Sequence, residues 1–168
     1  MKALNVCPSL LSEGYHTYSP LALRRLFNGK QVSHLLSFSL KTEEKNSYKP
    51  LYSLSISGYQ RKFLMTLENT TLRITQKGEQ STYILKPISE MPKNEAFAPA
   101  NEHLTMQIAQ QVFGIETAEN ALIFFADGTP AYITKRFDIA PNGEKYAVED
   151  FASLLGKTVQ THGTDYKY

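Results

Sequence analysis

Hydrophobic and polar positions divide the chain into a short N-terminal helix, a group of strands, one longer helix and a final hairpin. A helix is predicted after Ser19-Pro20, because proline is favoured in the first helical turn. It ends at Asn28-Gly29, a pair typical of helix C-termini. Its apolar positions are Leu21, Leu23, Leu26 and Phe27. Residues 41–50 are polar and lack periodicity, which predicts a loop or linker.

Short strands are predicted after Pro50, where apolar and polar residues alternate or form short β-branched and aromatic runs. The turn-rich residues 76–79 separate the last two of them. The predicted strands cover residues 51–57, 63–67, 71–75 and 83–88. Neighbouring strands of this length favour antiparallel, hairpin-connected pairing.

From Asn101 the apolar period becomes helical. Asn101 or a nearby polar residue is the expected N-cap of this helix, and Gly114 is its end. Its apolar positions form two rows, Leu104, Ile108 and Val112 in one and Met106, Ala109 and Phe113 in the other. Residues 121–125 and 131–137 flank Asp127-Gly128, which predicts a hairpin, and a last helix is expected over 148–155.

The order of elements predicts an α+β fold, with one main helix packed on an antiparallel sheet and a small helical preface at the N-terminus. The 168 residues suffice for one domain or one lobe of a larger protein. A single cysteine, Cys7, excludes a disulfide framework and a cysteine-based zinc site. The histidines lack metal-ligand spacing. Neither a long apolar run nor a secretory signal is recognisable, so the expected compartment is the cytoplasm.

The small net charge of +2 conceals an asymmetry. Residues 1–65 carry nine Lys or Arg against three Glu, which is +6, and residues 66–168 carry nine against thirteen acids, which is −4. A basic half favours acidic partners or nucleic acid. However, its densest cluster, Arg24-Arg25 with Lys30, accompanies no nucleic-acid-binding motif. Direct nucleic-acid binding is therefore the weakest of the function hypotheses.

The residues with the clearest chemical meaning are a Ser57-Gly58 turn between strands, Lys86 on a later strand and Glu102 on the next helix. Protein-kinase N-lobes place a phosphate-covering turn, a phosphate-binding lysine and a lysine-orienting glutamate in this order. A charged lysine on an apolar strand needs a partner or a ligand. Strand-edge lysines and hairpin glycines are also common without any such role, so the spacing alone leaves both interpretations open.

Five segments, in order, closely resemble the HipA family, the serine/threonine kinase toxins of bacterial toxin–antitoxin operons. The resemblance runs from about residue 50 to the last residue. The segments are Ser55-Ile-Ser-Gly-Tyr-Gln-Arg-Lys62, Tyr83-Ile-Leu-Lys-Pro87, Asn101-Glu-His103, Ile133-Thr-Lys-Arg-Phe-Asp138 and Glu149-Asp-Phe151. Residues 1–40 resemble the shorter preface of the HipT-like branch, in which a separate small protein replaces the usual N-terminal subdomain.

The resemblance implies a kinase N-lobe that binds ATP with Mg²⁺. Lys86 would contact the ATP phosphates and Glu102 would orient it, although a solvated glutamate in the first helical turn is the alternative. The phosphate loop would contain Ser57, Gly58 and Gln60. Tyr59 stands where the family usually has a smaller residue, which makes the loop conformation an open question.

The resemblance also implies a hinge and a regulatory site. Arg136, Phe137 and Asp138 match the segment that joins the two kinase lobes and meets adenine, although Phe137 fits a core position equally well. Ser55 and Ser57 match serines that the family autophosphorylates, and a phosphate there adds negative charge where ATP phosphates bind. The alternative for both serines is a plain small residue at a strand end.

The implied organisation is a preface and linker over residues 1–45, an N-lobe over 46–138, and a hinge with the start of a second lobe over 139–168. Kinases also need a catalytic aspartate followed five residues later by asparagine. Asp127, Asp138 and Asp150 are followed at that distance by tyrosine, glycine and leucine, and Asp165 lies near residue 168. We therefore expect no phosphate transfer by these residues alone, no catalytic residue among them and no metal ligand.

Two function hypotheses follow. The first is the ATP-binding lobe of a HipA-like kinase, inactive as this fragment, with aminoacyl-tRNA synthetases as implied targets. The second is a noncatalytic module that binds an antitoxin or a partner kinase. The family implies a helix-turn-helix antitoxin and a small companion protein as partners.

Overall fold

The computed structural model describes residues 4–40, 61–88, 95–157 and 161. The predicted linker over 41–50 and the predicted strand over 51–57 lie outside these residues. The chain divides after Arg136 into two compact units, residues 1–136 and 137–168.

Helix α1 spans Pro20–Phe27, as its local signals predict. The Ser19 hydroxyl accepts a hydrogen bond from the Ala22 amide at 3.2 Å and caps the helix. Asn28 ends it in the left-handed conformation, with φ of 54°. The inner face buries Ala22, Leu23, Leu26 and Phe27.

The first unit is built on a five-stranded antiparallel sheet with the order β2-β1-β3-β5-β4. Helix α2, Ala98–Gln111, follows a 3₁₀ turn at Glu95–Phe97 and connects β3 to β4. The strands are β1 Phe63–Glu68, β2 Thr71–Ile74, β3 Tyr83–Pro87, β4 Asn120–Phe124 and β5 Pro130–Lys135. The α+β class and the antiparallel sheet are thus confirmed.

The hydrophobic core lies between one face of this sheet and the N-terminal segment. The strand register aligns Phe63 with Leu85, and Leu85 with Ile133, across three strands. These side chains pack in one cluster with side chains of residues 7–36. The N-terminal members of the cluster are Cys7, Tyr18, Ala22, Leu23, Leu26, Phe27, Val32 and Leu36. The sheet and the preface therefore share a single core.

The N-terminal segment also covers strand β4, at one edge of the sheet. The Leu36 amide donates to the Phe124 carbonyl at 2.8 Å, and the Phe124 amide donates to the His34 carbonyl at 2.9 Å. Further along the strand, the Leu122 amide donates to the Pro8 carbonyl at 2.8 Å. These contacts satisfy backbone groups that an edge strand otherwise leaves open.

Helix α2 presents its polar side to the sheet, although an apolar row normally faces the core. Its buried residues are Pro99, His103 and Gln107, whereas the apolar row of Leu104, Ile108 and Val112 is exposed. Phe113, from the second apolar row, is exposed as well. The sheet face under α2 carries polar groups, and buried polar groups require hydrogen-bonding partners.

The predicted start of α2 is wrong. The helix begins at Ala98, three residues before Asn101, and Phe97 at the N-cap position makes no side-chain capping bond. Pro99 lies in the first turn, where a missing N–H costs nothing because that amide lacks a helical partner. The proline thus permits the helix to begin at a position that has no polar N-cap residue, whereas the prediction relied on such a residue.

The second unit contains a short turn and helix α3, Phe151–Leu154, which is shorter than the predicted 148–155. The turn is closed by a hydrogen bond from the Ala140 amide to the Glu144 carbonyl at 2.8 Å. Asp150 caps α3 by accepting from the Ser153 amide at 2.7 Å. Asp150 is thus the N-cap residue of this helix.

Candidate functional site

Lys86 and Glu102 form an ion pair between β3 and α2. Lys86 lies on the sheet face that is turned toward the helix, and its Nζ donates to Glu102 Oε1. The two side chains are 22% and 23% exposed. The Lys86 ammonium also lies 5.5 Å from the centroid of the Tyr132 ring, which supplies a cation–π contact. A partly buried cation is thus held between a carboxylate and an aromatic ring.

Lys62 brings a second positive charge close to this pair. Continuing the β1–β3 register by one residue places Lys62 opposite Lys86. Burial lowers the pKa of Lys62, the positive charge of Lys86 lowers it further, and Glu102 acts in the opposite direction. Two ammonium groups so close together favour anions such as phosphate.

Tyr132, on strand β5, lies next to Lys86 in the candidate site. The register pairs it directly with Lys86, and it is only 2% exposed. Burial raises the pKa of its hydroxyl, and the negative charge of Glu102 adds to that effect. Tyr132 therefore stays neutral at physiological pH and contributes its ring face and hydroxyl rather than a charge.

A buried polar network next to the ion pair sets the position of α2. Asn120 Oδ1 on β4 contacts His103 Nδ1 at 2.8 Å and accepts from Gln107 Nε2 at 3.1 Å. The Asn120 side-chain amide donates to the Ala118 carbonyl at 2.8 Å. Because Oδ1 is an acceptor, His103 carries its proton on Nδ1. Burial lowers the pKa of His103, which keeps the ring neutral.

The network continues to the N-terminal segment. Gln111 Nε2 donates to Gln107 Oε1 at 2.7 Å and to the Leu10 carbonyl at 3.1 Å. The buried His103 Nε2 has no hydrogen-bonding partner among the described residues. The polar side of α2 is thereby held along its length by the sheet and by the preface.

The predicted hinge residues lie where the two units meet along the chain. The Arg136 amide donates to the Thr82 carbonyl at 2.9 Å, and Arg136 Nη1 donates to Ser81 Oγ at 2.7 Å. The Asp138 carbonyl accepts from the Tyr146 amide at 2.8 Å. Phe137 is 70% exposed, so the alternative of a core position for it is wrong.

The predicted phosphate loop and phosphorylation sites lie outside the residues that the structure describes. They comprise Ser55, Ser57, Gly58 and Gln60. Of the predicted binding residues, the structure thus brings Lys86 and Glu102 into contact and places Arg136, Phe137 and Asp138 consecutively after β5. Lys62 and Tyr132 were missed, since only the strand register reveals them.

Two further features are absent from the ranges that the structure describes. No group of three or more His, Cys, Asp or Glu residues is placed there to hold a metal ion. None of the helices there combines the length and the apolar character that crossing a membrane requires.

Comparison with known families identifies the relationship that the five segments indicated. The chain matches the HipA-like C-terminal domain over residues 54–168, a range that includes Lys86, Glu102 and the residues after β5. The N-terminal part of the hydrophobic core precedes the matched range. No curated protein shows significant similarity to the chain. Since the match covers most of its length, the chain belongs to the HipA-like C-terminal domain family.

Proposed function

We propose that this chain is the nucleotide-binding, kinase N-lobe-like part of a HipA-like serine/threonine kinase toxin of a toxin–antitoxin system. The observation that carries the proposal is the Lys86–Glu102 ion pair between a strand and the following helix. Protein kinases use a strand lysine held by a helix glutamate to position the phosphates of ATP. The family match is consistent with this assignment.

In this proposal the ATP phosphates bind against Lys86 and Lys62, which the strand register places opposite each other. Glu102 fixes the Lys86 ammonium, and the Tyr132 ring limits its movement from the other side. Ser57, Gly58 and Gln60 would cover the phosphates, as the resemblance implies.

Adenine would meet the backbone of the segment after β5. The Arg136 amide already donates to Thr82 within the sheet, and the Asp138 carbonyl accepts from Tyr146. As the resemblance implies, the backbone of Phe137, between Arg136 and Asp138, is the proposed adenine contact.

No aspartate in the sequence is followed five residues later by asparagine. We therefore propose that these residues bind nucleotide without transferring phosphate. Phosphorylation of Ser55 or Ser57 would oppose nucleotide binding, since it adds negative charge beside the proposed phosphate site.

The test is ATP affinity, measured by calorimetry for the 168-residue chain and its variants. Lys86→Ala is expected to weaken ATP binding by at least about tenfold, as the loss of a charge-assisted contact of about 1.4 kcal/mol requires. Lys77→Ala, in the exposed turn between β2 and β3, is the matched control and retains the affinity. Equal affinities of the two variants would contradict the proposal.

Phosphate transfer is tested separately with radiolabelled ATP, Mg²⁺ and a generic protein acceptor. We expect no multiple turnovers. Turnover by the purified chain would show that it has catalytic residues other than the expected aspartate followed five residues later by asparagine.

A groove on the first unit favours a second candidate function, a noncatalytic interaction module. The groove encloses about 450 Å³ and lies between the N-terminal segment and the end of α2. Its lining combines apolar and polar side chains with one arginine, namely Leu10, Ser12, Tyr15, Ser19, Leu21, Arg25 and Gln111. Such a mixed surface fits a protein partner, for which the helix-turn-helix antitoxin or a partner kinase is proposed.

The interaction module is tested by titrating the purified chain with its operon's antitoxin. Leu21→Glu places a charge in the groove and is expected to weaken that complex. A complex of unchanged affinity would exclude the groove as the antitoxin site. The aminoacyl-tRNA synthetase target and the small companion protein remain proposals of the family resemblance alone.

A further inference from the structure

Helix α2 exposes an apolar stripe on the side that faces away from the sheet. The stripe consists of Phe97, Leu104, Ile108 and Val112, which are 61%, 48%, 41% and 71% exposed. Their spacing of seven, four and four residues places them along one side of the helix. A helix in a water-soluble fold normally turns such a row toward the core, so the exposed stripe needs another explanation.

Helix α2 itself brings little charge to the stripe. Glu102 is the only charged residue of α2, and it is paired with Lys86. The Thr105 hydroxyl on the exposed side donates to the Asn101 carbonyl at 2.7 Å. A partner that packs on this side of the helix therefore meets a mainly apolar surface.

We propose that a second copy of this chain packs against the stripe, with the two α2 helices antiparallel about a two-fold axis. In a two-fold contact each surface meets its own copy, so any unpaired charge faces a like charge. The neutral stripe avoids that repulsion. Helix α1 does not, because its exposed side carries Arg24 and Arg25.

The size of the exposed surface agrees with a weak dimer. Phe113 and Ile115, which directly follow α2 in the chain, are also exposed, by 71% and 57%. With the four stripe residues they present roughly 500–600 Å² of apolar area, the upper end of what monomers expose. A stable interface buries about 800 Å² on each partner. We therefore expect self-association in the micromolar range.

The proposed dimer is independent of the nucleotide site. Glu102 projects from α2 toward Lys86 and the sheet, whereas the stripe lies on the solvent side. Failure of nucleotide binding would thus leave the dimer proposal intact, and the reverse also holds.

The test is sedimentation equilibrium of the whole 168-residue chain over a range of concentrations. Wild type is expected to show a reversible monomer–dimer equilibrium. Ile108→Glu introduces facing charges at the centre of the stripe and is expected to weaken the dimer by at least about tenfold. Val112→Glu, at a more exposed position where folding is less at risk, is expected to act in the same direction.

Leu35→Glu is the matched control, since Leu35 is 41% exposed and lies outside α2. It is expected to retain the wild-type dimer. A wild-type chain that stays monomeric at all concentrations overturns the proposal. So does a dimer that both stripe variants leave unchanged. Stripe variants that lose only antitoxin binding, with a monomeric wild type, would assign the stripe to that partner instead.

Discussion

The Lys86 ammonium donates to the Glu102 carboxylate and thereby connects β3 to α2. About four fifths of each side chain is removed from solvent, so water screens the pair only in part. The same contact fixes the lysine beside the Tyr132 ring. Any movement of α2 relative to the sheet therefore changes the position of the proposed phosphate-binding charge.

A double-mutant cycle measures this ion pair in the free protein. Lys86→Met, Glu102→Gln and the double variant are expected to give a coupling free energy of about 1 kcal/mol in urea unfolding. The Arg73–Glu68 pair, whose glutamate is 62% exposed, is the control and is expected to couple more weakly. Zero coupling between Lys86 and Glu102 would indicate that the contact does not form in solution.

His103 is expected to make stability depend on pH. Burial lowers the pKa of His103, although the hydrogen bond with Asn120 acts against this shift. The unfolded chain binds the proton at its ordinary pKa of about 6.5, so the unfolded state takes up protons first as the pH falls. This contribution to stability is fully present above about pH 6.5 and decreases below it.

The measurement is the unfolding free energy between about pH 7 and pH 5, a range above the ordinary pKa values of carboxyl groups. His103→Gln is expected to flatten the pH slope. Part of the slope remains in that variant, because burial also lowers the pKa of His34. Identical slopes for wild type and His103→Gln would contradict a buried neutral His103.

Asn120 is expected to be the most sensitive polar residue beneath α2. Replacing it with alanine leaves the buried donors of His103 and Gln107 without their acceptor. Asn120→Ala is therefore expected to lower the unfolding free energy by about 2–3 kcal/mol. Asn101→Ala, an exposed change on α2, is the control and is expected to stay within about 0.5 kcal/mol. Similar losses in the two variants would argue against the network.

Glu79 is expected to titrate at an unusually low pH for an exposed glutamate. Hydrogen bonds from the Arg73 guanidinium and the Gln76 amide lower the pKa of Glu79 to about 2. Arg73→Leu is expected to raise that pKa toward the ordinary value of about 4.3. NMR titration of the side chain measures both values, with Arg24→Leu as the control. A Glu79 pKa that is ordinary in wild type would contradict the observed pairing.

Local signals predicted the elements whose ends are determined by neighbouring residues. Ser19 and Asn28 delimit α1 through a capping hydroxyl and a left-handed conformation. Asp127 and Gly128 form the turn of the β4–β5 hairpin, where the Asp127 carboxylate accepts from the Thr129 amide at 3.0 Å. Such contacts join residues only a few positions apart, so the local sequence is enough to predict them.

The orientation of α2 depends on information that its own sequence lacks. The helical period identifies an apolar side, but Asn120 and Lys86 on distant strands decide that the opposite side is buried. Leaving the polar groups of Asn120 and Lys86 without partners would cost more free energy than the burial of Leu104 and Ile108 would gain. A periodic pattern indicates that a helix has two sides and leaves open which one meets the sheet.

The candidate site likewise contains some residues that the sequence predicted and others that it did not. Lys86 and Glu102 were predicted from their order and from the resemblance to a family. Lys62 and Tyr132 join them only because β1, β3 and β5 pair in one particular register. Register is a property of strand pairs, so the sequence position of Lys62 or Tyr132 alone does not predict that the residue lies at the site.

The shared core has a consequence for the order of synthesis. Cys7, Leu26 and Leu36 leave the ribosome before any of the strands that cover them, and Ile133 follows almost a hundred residues later. The apolar side chains of the first segment thus stay exposed to water while most of the first unit is translated. Contacts between such distant residues form slowly. Of the side chains in the shared core, those of residues 7–36 are therefore exposed to water for the longest time during synthesis.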